Sequence, residues 1–248
     1  MDSVGLLALF DEVATAIRSA LDDVEDWGPS GHVPGQYGFD VVADDVARLL
    51  LDAAGVGILS EESGLHDADR PTVVVIDPVD GSTNASHGIP WFATSLCAVD
   101  AEGPLAALVV NQATGERFRA LRGGGATVDG VAIAPSATSD LADAIVGING
   151  WSPRHLGWRQ SRSLGAAALE LCAVACGRLD GFFDAVGDGL APWDYLGGLL
   201  VCREAGAAVA DAFDRPLVEL DHGTRRTIAA GATEPLLHQL VEAQATFR

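Results

Sequence analysis

Lysine is absent from this sequence: all 15 basic residues are arginine, set against 35 aspartates and glutamates, and the formal net charge is −20. A surface of that sign repels nucleic acid and anionic membrane alike, so neither is expected as a partner. Long apolar runs are missing too. Apolar residues make up 48% of the chain, enough for a core, but they come in short stretches broken by charge, with none of the ~20-residue runs a membrane span needs. The opening MDSVGLLALFDEV carries an apolar run flanked by Asp2, Asp11 and Glu12, where a secretory signal has basic residues; a cytoplasmic location is expected. Cysteine is sparse. Cys97, Cys172, Cys176 and Cys202 lie in apolar surroundings without a C-x-x-C pair, which argues against a zinc or dithiol site and for buried free thiols, even though Cys172 and Cys176 would share a helix face.

A chain of 248 residues makes one large domain or two small ones fused tightly together. Leu6, Phe10, Val13, Ile17 and Leu21 recur at helical spacing and predict an amphipathic helix over 4–21. WGPSGHVPGQYGFD then reads as a loop, and ADDVARLLLDAA as a second helix ended by Gly55. VGILS, TVVVID, FATSLCAVD, PLAALVVN and ERFRAL are short runs rich in branched residues, separated by turn signals, and predict a sheet with hairpin connections. RGGGA (122–126) lacks the G-x-G-x-x-G spacing of a dinucleotide loop and reads as a turn. After about residue 136 strand-like and helical patterns alternate: AIVGIN, GAAALELCAVACG, LDGFFD, WDYLGGLLVCREAG, TIAAG and EPLLHQLVEAQ. The expected organisation is an α+β half over 1–136 followed by an α/β half over 137–248, packed on each other with no flexible linker.

The densest chemistry is Asp77-Pro78-Val79-Asp80-Gly81-Ser82-Thr83-Asn84, directly after the apolar TVVVI. Pro78 fixes one backbone angle and Gly81 permits a tight turn, so the two carboxylates can converge on one point. Such a pair attracts a hard cation, and magnesium favours carboxylate, water and phosphate oxygens. Gly81, Ser82 and Thr83 offer N–H groups and hydroxyls suited to phosphate. An isolated D-x-x-D is more often an acidic turn that caps the next element; here the string is longer and has company. Glu61 and Glu62 end the strand-like VGILS, and Asp194 opens the helix after Trp193, where it could also be a plain N-cap. Bound divalent ions would also reverse the local sign on a chain that otherwise repels anions.

Taken together, ILSEESG, DPVDGSTN about sixteen residues later, and WDYLGG followed by EAGA resemble the inositol monophosphatase family, which includes related sugar- and nucleotide-bisphosphate phosphatases. HGIPWFATSLCAV and RSLGAAALELCAVACGRLDGFFD extend the resemblance over most of the chain from Asp40 onwards. It implies a layered α-β-α-β-α sandwich of the sugar-phosphatase type, and hydrolysis of a small phosphorylated metabolite with Mg2+, two or three ions per site. Carried over by position, Glu61 becomes a metal ligand and partner of the attacking water, Asp77 a bridging carboxylate, the Val79 carbonyl a ligand, and Asp80 and Asp194 the holders of the second metal. Glu61, Asp77 and Ser82 are the implied catalytic residues. Ser82 stands where the family usually has threonine, orienting the water, while Asp80, Gly81, Ser82, Ala167, Asp184 and Asp194 meet the substrate.

Asp184 stands where the family has a longer glutamate, and three extra residues separate it from Trp193. The segment from Asp40 to Glu61 is also shorter than usual; of Asp44 and Asp45, Asp44 is preferred as support for a further metal. His87 is expected in the second shell or on the surface, Trp91 and Trp193 against the site, and Arg162 on the substrate side or simply at the surface. The family implies a homodimer as the default. Substrate alternatives are inositol monophosphate, histidinol phosphate, fructose 1,6-bisphosphate and adenosine 3′,5′-bisphosphate, and the rival class is a non-catalytic relative that binds metal or ligand.

Overall fold

The computed structural model describes residues 1–31 and 35–245. His32, Val33 and Pro34, within the expected loop, lie outside the described residues. The chain begins with two helices, α1 (Ser3–Asp22) and α2 (Gly38–Ala54). An eight-stranded sheet follows, built from β1 (Gly57–Ser60), β2 (Gly64–His66), β3 (Val73–Asp80), β4 (Ala93–Asp100), β5 (Gly103–Asn111), β6 (Arg117–Leu121), β7 (Gly125–Val128) and β8 (Val131–Ala132), with the short helix α3 (Ser82–Ser86) between β3 and β4. Its order is β2-β1-β3-β4-β5-β6-β7-β8, antiparallel except for the β1–β3 pair. A second sheet, ordered β10-β9-β11-β13-β12, is built from β9 (Ile145–Asn149), β10 (Gln160–Arg162), β11 (Gly181–Asp184), β12 (Ala208–Asp211) and β13 (Ile228–Gly231). The remaining helices are α4 (Ala167–Ala175), α5 (Pro192–Ala205) and α6 (Glu234–Ala245).

Strand alternation sorts the core into layers. In β3, Val74 and Ile76 face Phe10, Val13 and Phe39 of α1 and α2, while Val73 and Val75 face Leu171, Cys172, Leu196 and Leu199 of α4 and α5. The second sheet closes on the same two helices through Phe182, Ile228 and Ala230, and covers its far face with Leu236, Leu237 and Leu240 of α6. The result is the α-β-α-β-α sandwich. A helix held between two sheets has no solvent stripe, which is why all nine residues of α4 are buried and why both central helices lack the one-sided apolar pattern of α1 and α2.

The fit of α5 against its neighbours is close. A Cβ on Gly197 would stand 2.7 Å from Ser95 Oγ of β4, and one on Gly198 2.6 Å from Leu171 Cβ of α4. Glycine at both positions lets the start of α5 reach the end of β3.

Several expectations change in detail. The second helix starts at Gly38, not at residue 43, so Asp40 belongs to its first turn and not to the preceding loop. The Asp40 carboxylate accepts from the Tyr37 N–H at 3.0 Å and stabilises a helix start that offers no Ser, Thr or Asn cap. Strands β2, β7, β8, β10 and β12 are too short for a periodicity to declare them. All four cysteines are free, with Cys97, Cys172 and Cys202 buried.

Candidate active site

Asp77 and Asp80 end a strand whose eight residues are all buried. Residues three apart in a regular strand point to opposite faces. Here the register with β4 slips: Asp77 pairs with Ser95 and Asp80 with Ala93, so β3 carries one extra residue, a bulge. Val79 consequently packs on the α1–α2 side with Val74 and Ile76, and Asp80 turns to the side of Asp77, towards α4 and α5. Pro78, which has no N–H to give to a central strand, sits at this break, and its carbonyl accepts from Thr94 Oγ1 at 2.8 Å.

The two acids are then fixed individually. Asp77 Oδ1 accepts from the Val79 N–H at 3.0 Å, and Asp80 Oδ2 from the Ala168 N–H in the first turn of α4 at 2.8 Å. Asp194 is the third residue of α5, and the N-cap is Ala191; the Asp194 carboxylate accepts from the Ala191 N–H at 2.6 Å, leaving its other oxygen to the cleft. Carboxylate oxygens of Asp77, Asp80 and Asp194 lie within 4.8 Å of one another. Glu61 follows β1, the parallel neighbour of β3, and its backbone N–H donates to Ile76 O at 3.3 Å.

Bringing these acids together without a counter-ion is electrostatically unfavourable. Burial first, then the carboxylates of Glu61, Asp80 and Asp194, holds Asp77 well above the ordinary range; burial and then Asp194 do the same to Asp80. Glu61 is open to solvent in part, but desolvation in the cleft, with Asp194 and Glu62 nearby, pushes it up to about 8. Asp194 is pushed up to about 6 by burial, against the opposing pull of the Arg225 guanidinium. Among the described residues no arginine forms an ion pair with any of the four. An all-oxygen set of acids, with Asp77 and Asp80 buried and none of the four ion-paired to an arginine, fits a hard divalent metal, and the Val79 carbonyl adds a neutral oxygen at the same bend.

Gly81 has φ +91°, and a Cβ there would stand 3.0 Å from Gly165 O and 3.2 Å from Trp91 O, so the turn after the acids needs glycine both for conformation and for space. Ser82 Oγ lies 2.8 Å from Asp40 Oδ1 and 2.8 Å from Val79 O. A hydroxyl has one proton, so it can donate to only one of them at a time. If the Val79 carbonyl held a cation, the proton would go to Asp40, leaving the Ser82 lone pairs free to accept.

Asp40 is the residue that sequence reasoning missed. Burial pushes it up to about 6, and the signal that could have found it is an acid in GFD four residues before Asp44, on the same helix face. Asp44 is buried and accepts from Ser60 Oγ at 2.5 Å, whereas Asp45 is exposed. Its charge helps raise Glu62, which also receives the Gln36 amide.

Other expected residues have different placements. Asp184 is fully buried, and its carboxylate accepts from Asn149 Nδ2 (2.9 Å), Val186 N (3.0 Å) and Gly189 N (3.0 Å), so it holds the 185–190 loop. Ala167 is buried beside Ala168, at the start of α4. His87 is exposed at the end of α3. His222, unmarked by any pattern, places Nε2 3.0 Å from Glu61 O, with its ring 4.7 Å from that of Trp193; the Arg225 guanidinium lies 5.2 Å from the same Trp193 ring.

The description of the inositol monophosphatase family matches residues 44–246, a span that contains Glu61, Asp77, Asp80 and Asp194. The chain belongs to the inositol monophosphatase family. An inositol-1-monophosphatase from Mesorhizobium japonicum is 36% identical over 214 residues, covering 77% of each chain. A fructose-1,6-bisphosphatase from Pyrococcus furiosus is 32% identical over 207 residues, covering 82% of this chain and 80% of that one. The solved inositol monophosphatase from Anabaena superposes with a TM-score of 0.79 at 27% identity, over 98% of this chain and 96% of that one. Like its family, the chain is a metal-dependent phosphoric monoester hydrolase acting on phosphorylated small molecules. Among the described residues no helix is long and apolar enough to cross a membrane.

Proposed function

We propose that this family member uses Mg2+, two or three ions per site, to hydrolyse a small phosphate monoester, with Glu61, Asp77, Asp80, Asp194 and the Val79 carbonyl as ligands. The observation that carries this is the convergence of Asp77, Asp80 and Asp194 within 4.8 Å. Divalent ions held there would cancel the repulsion among the acids, receive the phosphate oxygens and acidify a water for attack. The chain's own groups supply the alignment. Glu61, as a carboxylate beside the attacking water, would take its proton. Ser82 would accept a hydrogen bond from that water while donating its own hydrogen bond to Asp40, and the N–H groups of Gly81 and Ser82 would face the phosphate. Asp44 is the acid placed to support a further ion, beside Glu62.

Similarity to both an inositol-1-monophosphatase and a fructose-1,6-bisphosphatase supports a polyol or sugar phosphate as substrate, with histidinol phosphate and adenosine 3′,5′-bisphosphate as the alternatives. A cytoplasmic homodimer is our reading of location and assembly, supported by the acidic flanks of the first apolar run and by family habit; sizing in solution tests the second. Release of inorganic phosphate from a panel of these esters, with and without magnesium, tests the function. Turnover of at least one ester only when the metal is present is the expected result, and no turnover of any ester with metal would overturn the proposal.

A further inference from the structure

Glu170 is a buried acid that the reaction above leaves unused. It stands in the first turn of α4, 1% exposed, on a helix held between the two sheets. Among the described residues no arginine forms an ion pair with it. An acid in the first turn of a helix ordinarily faces water, where the partial charge of the helix end stabilises it. Glu170 is desolvated instead, and burial raises its pKa. What opposes that rise is backbone: the N–H groups of Leu164, Gly165 and Ala166 donate towards this carboxylate, Leu164 N at 3.4 Å from Oε1. The facing strand leaves room for it, since a Cβ on Gly147 of β9 would stand 3.0 Å from Glu170 Oε1.

The strap to which those N–H groups belong leads to both halves of the acid site. Leu164 is held on both sides, its N–H by Glu170 and its carbonyl by Asn84 Nδ2 at 2.7 Å; the same Asn84 nitrogen donates to Trp91 O at 2.7 Å. Gly165 follows at φ +82°, and its carbonyl is the atom 3.0 Å from which a Cβ on Gly81 would stand. Ala166 is the N-cap of α4, and two residues on, the Ala168 N–H donates to Asp80 Oδ2 at 2.8 Å. Residues 164–168 therefore run from the turn after the acids to one of the acids themselves. A backbone donor is aimed only as well as the segment that carries it is fixed.

We propose that Glu170 is a positioning residue: by gathering the N–H groups of residues 164–166 it fixes the strap that shapes the Gly81–Ser82 turn and aims Ala168 N at Asp80. The inference rests on the metal and phosphate assignments above and names what keeps those groups in place. A carboxylate suits the task because its two oxygens offer about four acceptor sites to the three donors. An amide of the same shape keeps one acceptor oxygen, and a methionine keeps the bulk with only a weak acceptor.

The test titrates Mg2+ into the protein, and inorganic phosphate into the magnesium-loaded protein, by calorimetry in the wild type, Glu170→Met and Glu170→Gln. KM and kcat are followed for whichever ester the wild type hydrolyses. Glu204→Gln is the control: Glu204 also holds backbone N–H groups, of Gly123 at 2.8 Å and Gly125 at 2.9 Å. It sits near the far end of α5 from Asp194, roughly 15 Å along the helix axis. Glu170→Met is expected to weaken both Mg2+ and phosphate by roughly tenfold, as when an outer partner of a metal ligand is lost, with KM rising in step. Glu170→Gln should recover part of that loss, and Glu204→Gln should leave both affinities within about twofold of wild type. A Glu170→Met protein within about twofold of wild type in both affinities overturns the inference and makes Glu170 a cap for α4 alone. If that variant does not fold, Glu170→Asp, whose oxygens stop one methylene short, is read by the same criterion. Losses as large in Glu204→Gln overturn it too, because general loosening then accounts for them. A wild type that binds Mg2+ and phosphate yet turns over no ester fails the phosphatase reading and leaves this one standing.

Discussion

Two regions of the molecule are built from different materials. Asp77 and Asp80 stand on a fully buried strand in the middle of an eight-stranded sheet, each with a backbone N–H holding one oxygen. A hollow in the second sheet is lined largely by exposed side chains between Gly150 and Ser163, around an edge strand of three residues. Ions demand fixed oxygens at fixed separations, and only a rigid frame keeps like charges together; a surface around an edge strand can vary without disturbing that frame. Asp194 and His222 come from the second half of the chain and meet the first-half acids, Asp194 at Asp77 and Asp80 and His222 at the Glu61 carbonyl.

The largest effect should come from breaking the rigid side. Asp77→Asn removes a charge that a neutral amide cannot replace between two dications, and turnover is expected to fall by more than the roughly 10–100-fold seen when an outer partner of a metal ligand is lost. Phosphate release at saturating magnesium measures it, and activity near wild type would end the metal assignment. Ser82→Ala is next: kcat should drop by roughly 100-fold, as when one proton-transfer partner is removed, while magnesium affinity by calorimetry stays close to wild type. Parallel loss of metal binding would make Ser82 a ligand and not an orienting group.

The same contrast has a pH signature. Glu61 at about 8 and Asp40 and Asp194 at about 6 all lie above the ordinary carboxylate value of about 4. An acid with a raised pKa binds more protons folded than unfolded between those two values, so its contribution to stability falls as pH rises through that window. The metal-free protein should therefore lose thermal stability between about pH 5 and pH 8. Magnesium binds the deprotonated acids, so the gap in Tm with and without metal should widen over the same interval, reaching about 5–10 °C at 100 times Kd. A gap that is constant or shrinks with rising pH would mean that these acids are not the metal's ligands.

How much of this was legible follows from where each constraint resides. Strands β1 and β3 to β6 and the long helices announce themselves by periodicity, and Asp77, Asp80 and Glu61 by their position at strand ends. The bulge that aligns the two aspartates is visible only once Ser95 and Ala93 are known to be their partners, because register is a property of two strands. Asp40 was hidden by Gly-Pro-rich surroundings that look like loop until Tyr37 and Ser82 are seen to hold it. Asp184 is a related case: nothing in the sequence tells that a strand-end acid before a W-D motif will accept from two N–H groups of the following loop and from the Asn149 amide on β9. His222 is far from Glu61 in sequence, and no local pattern joins them.

That last contact gives the smallest and most discriminating prediction. A carbonyl can only accept, so His222 Nε2 carries the proton in its 3.0 Å bond to Glu61 O. Its ring also packs on Trp193, next to Asp194, so one imidazole ties the 217–227 segment to a ligand on each side of the site. Loss of one such hydrogen bond is worth about 1 kcal/mol, or roughly fivefold in an equilibrium. His222→Ala should weaken magnesium binding by about that factor in a calorimetric titration, with Glu61 less firmly held, and His222→Gln, which keeps an N–H donor, should recover part of it. If both variants bind magnesium as the wild type does and differ only in melting temperature, His222 is packing for Trp193, and the two sides of the site are joined through Asp194 alone.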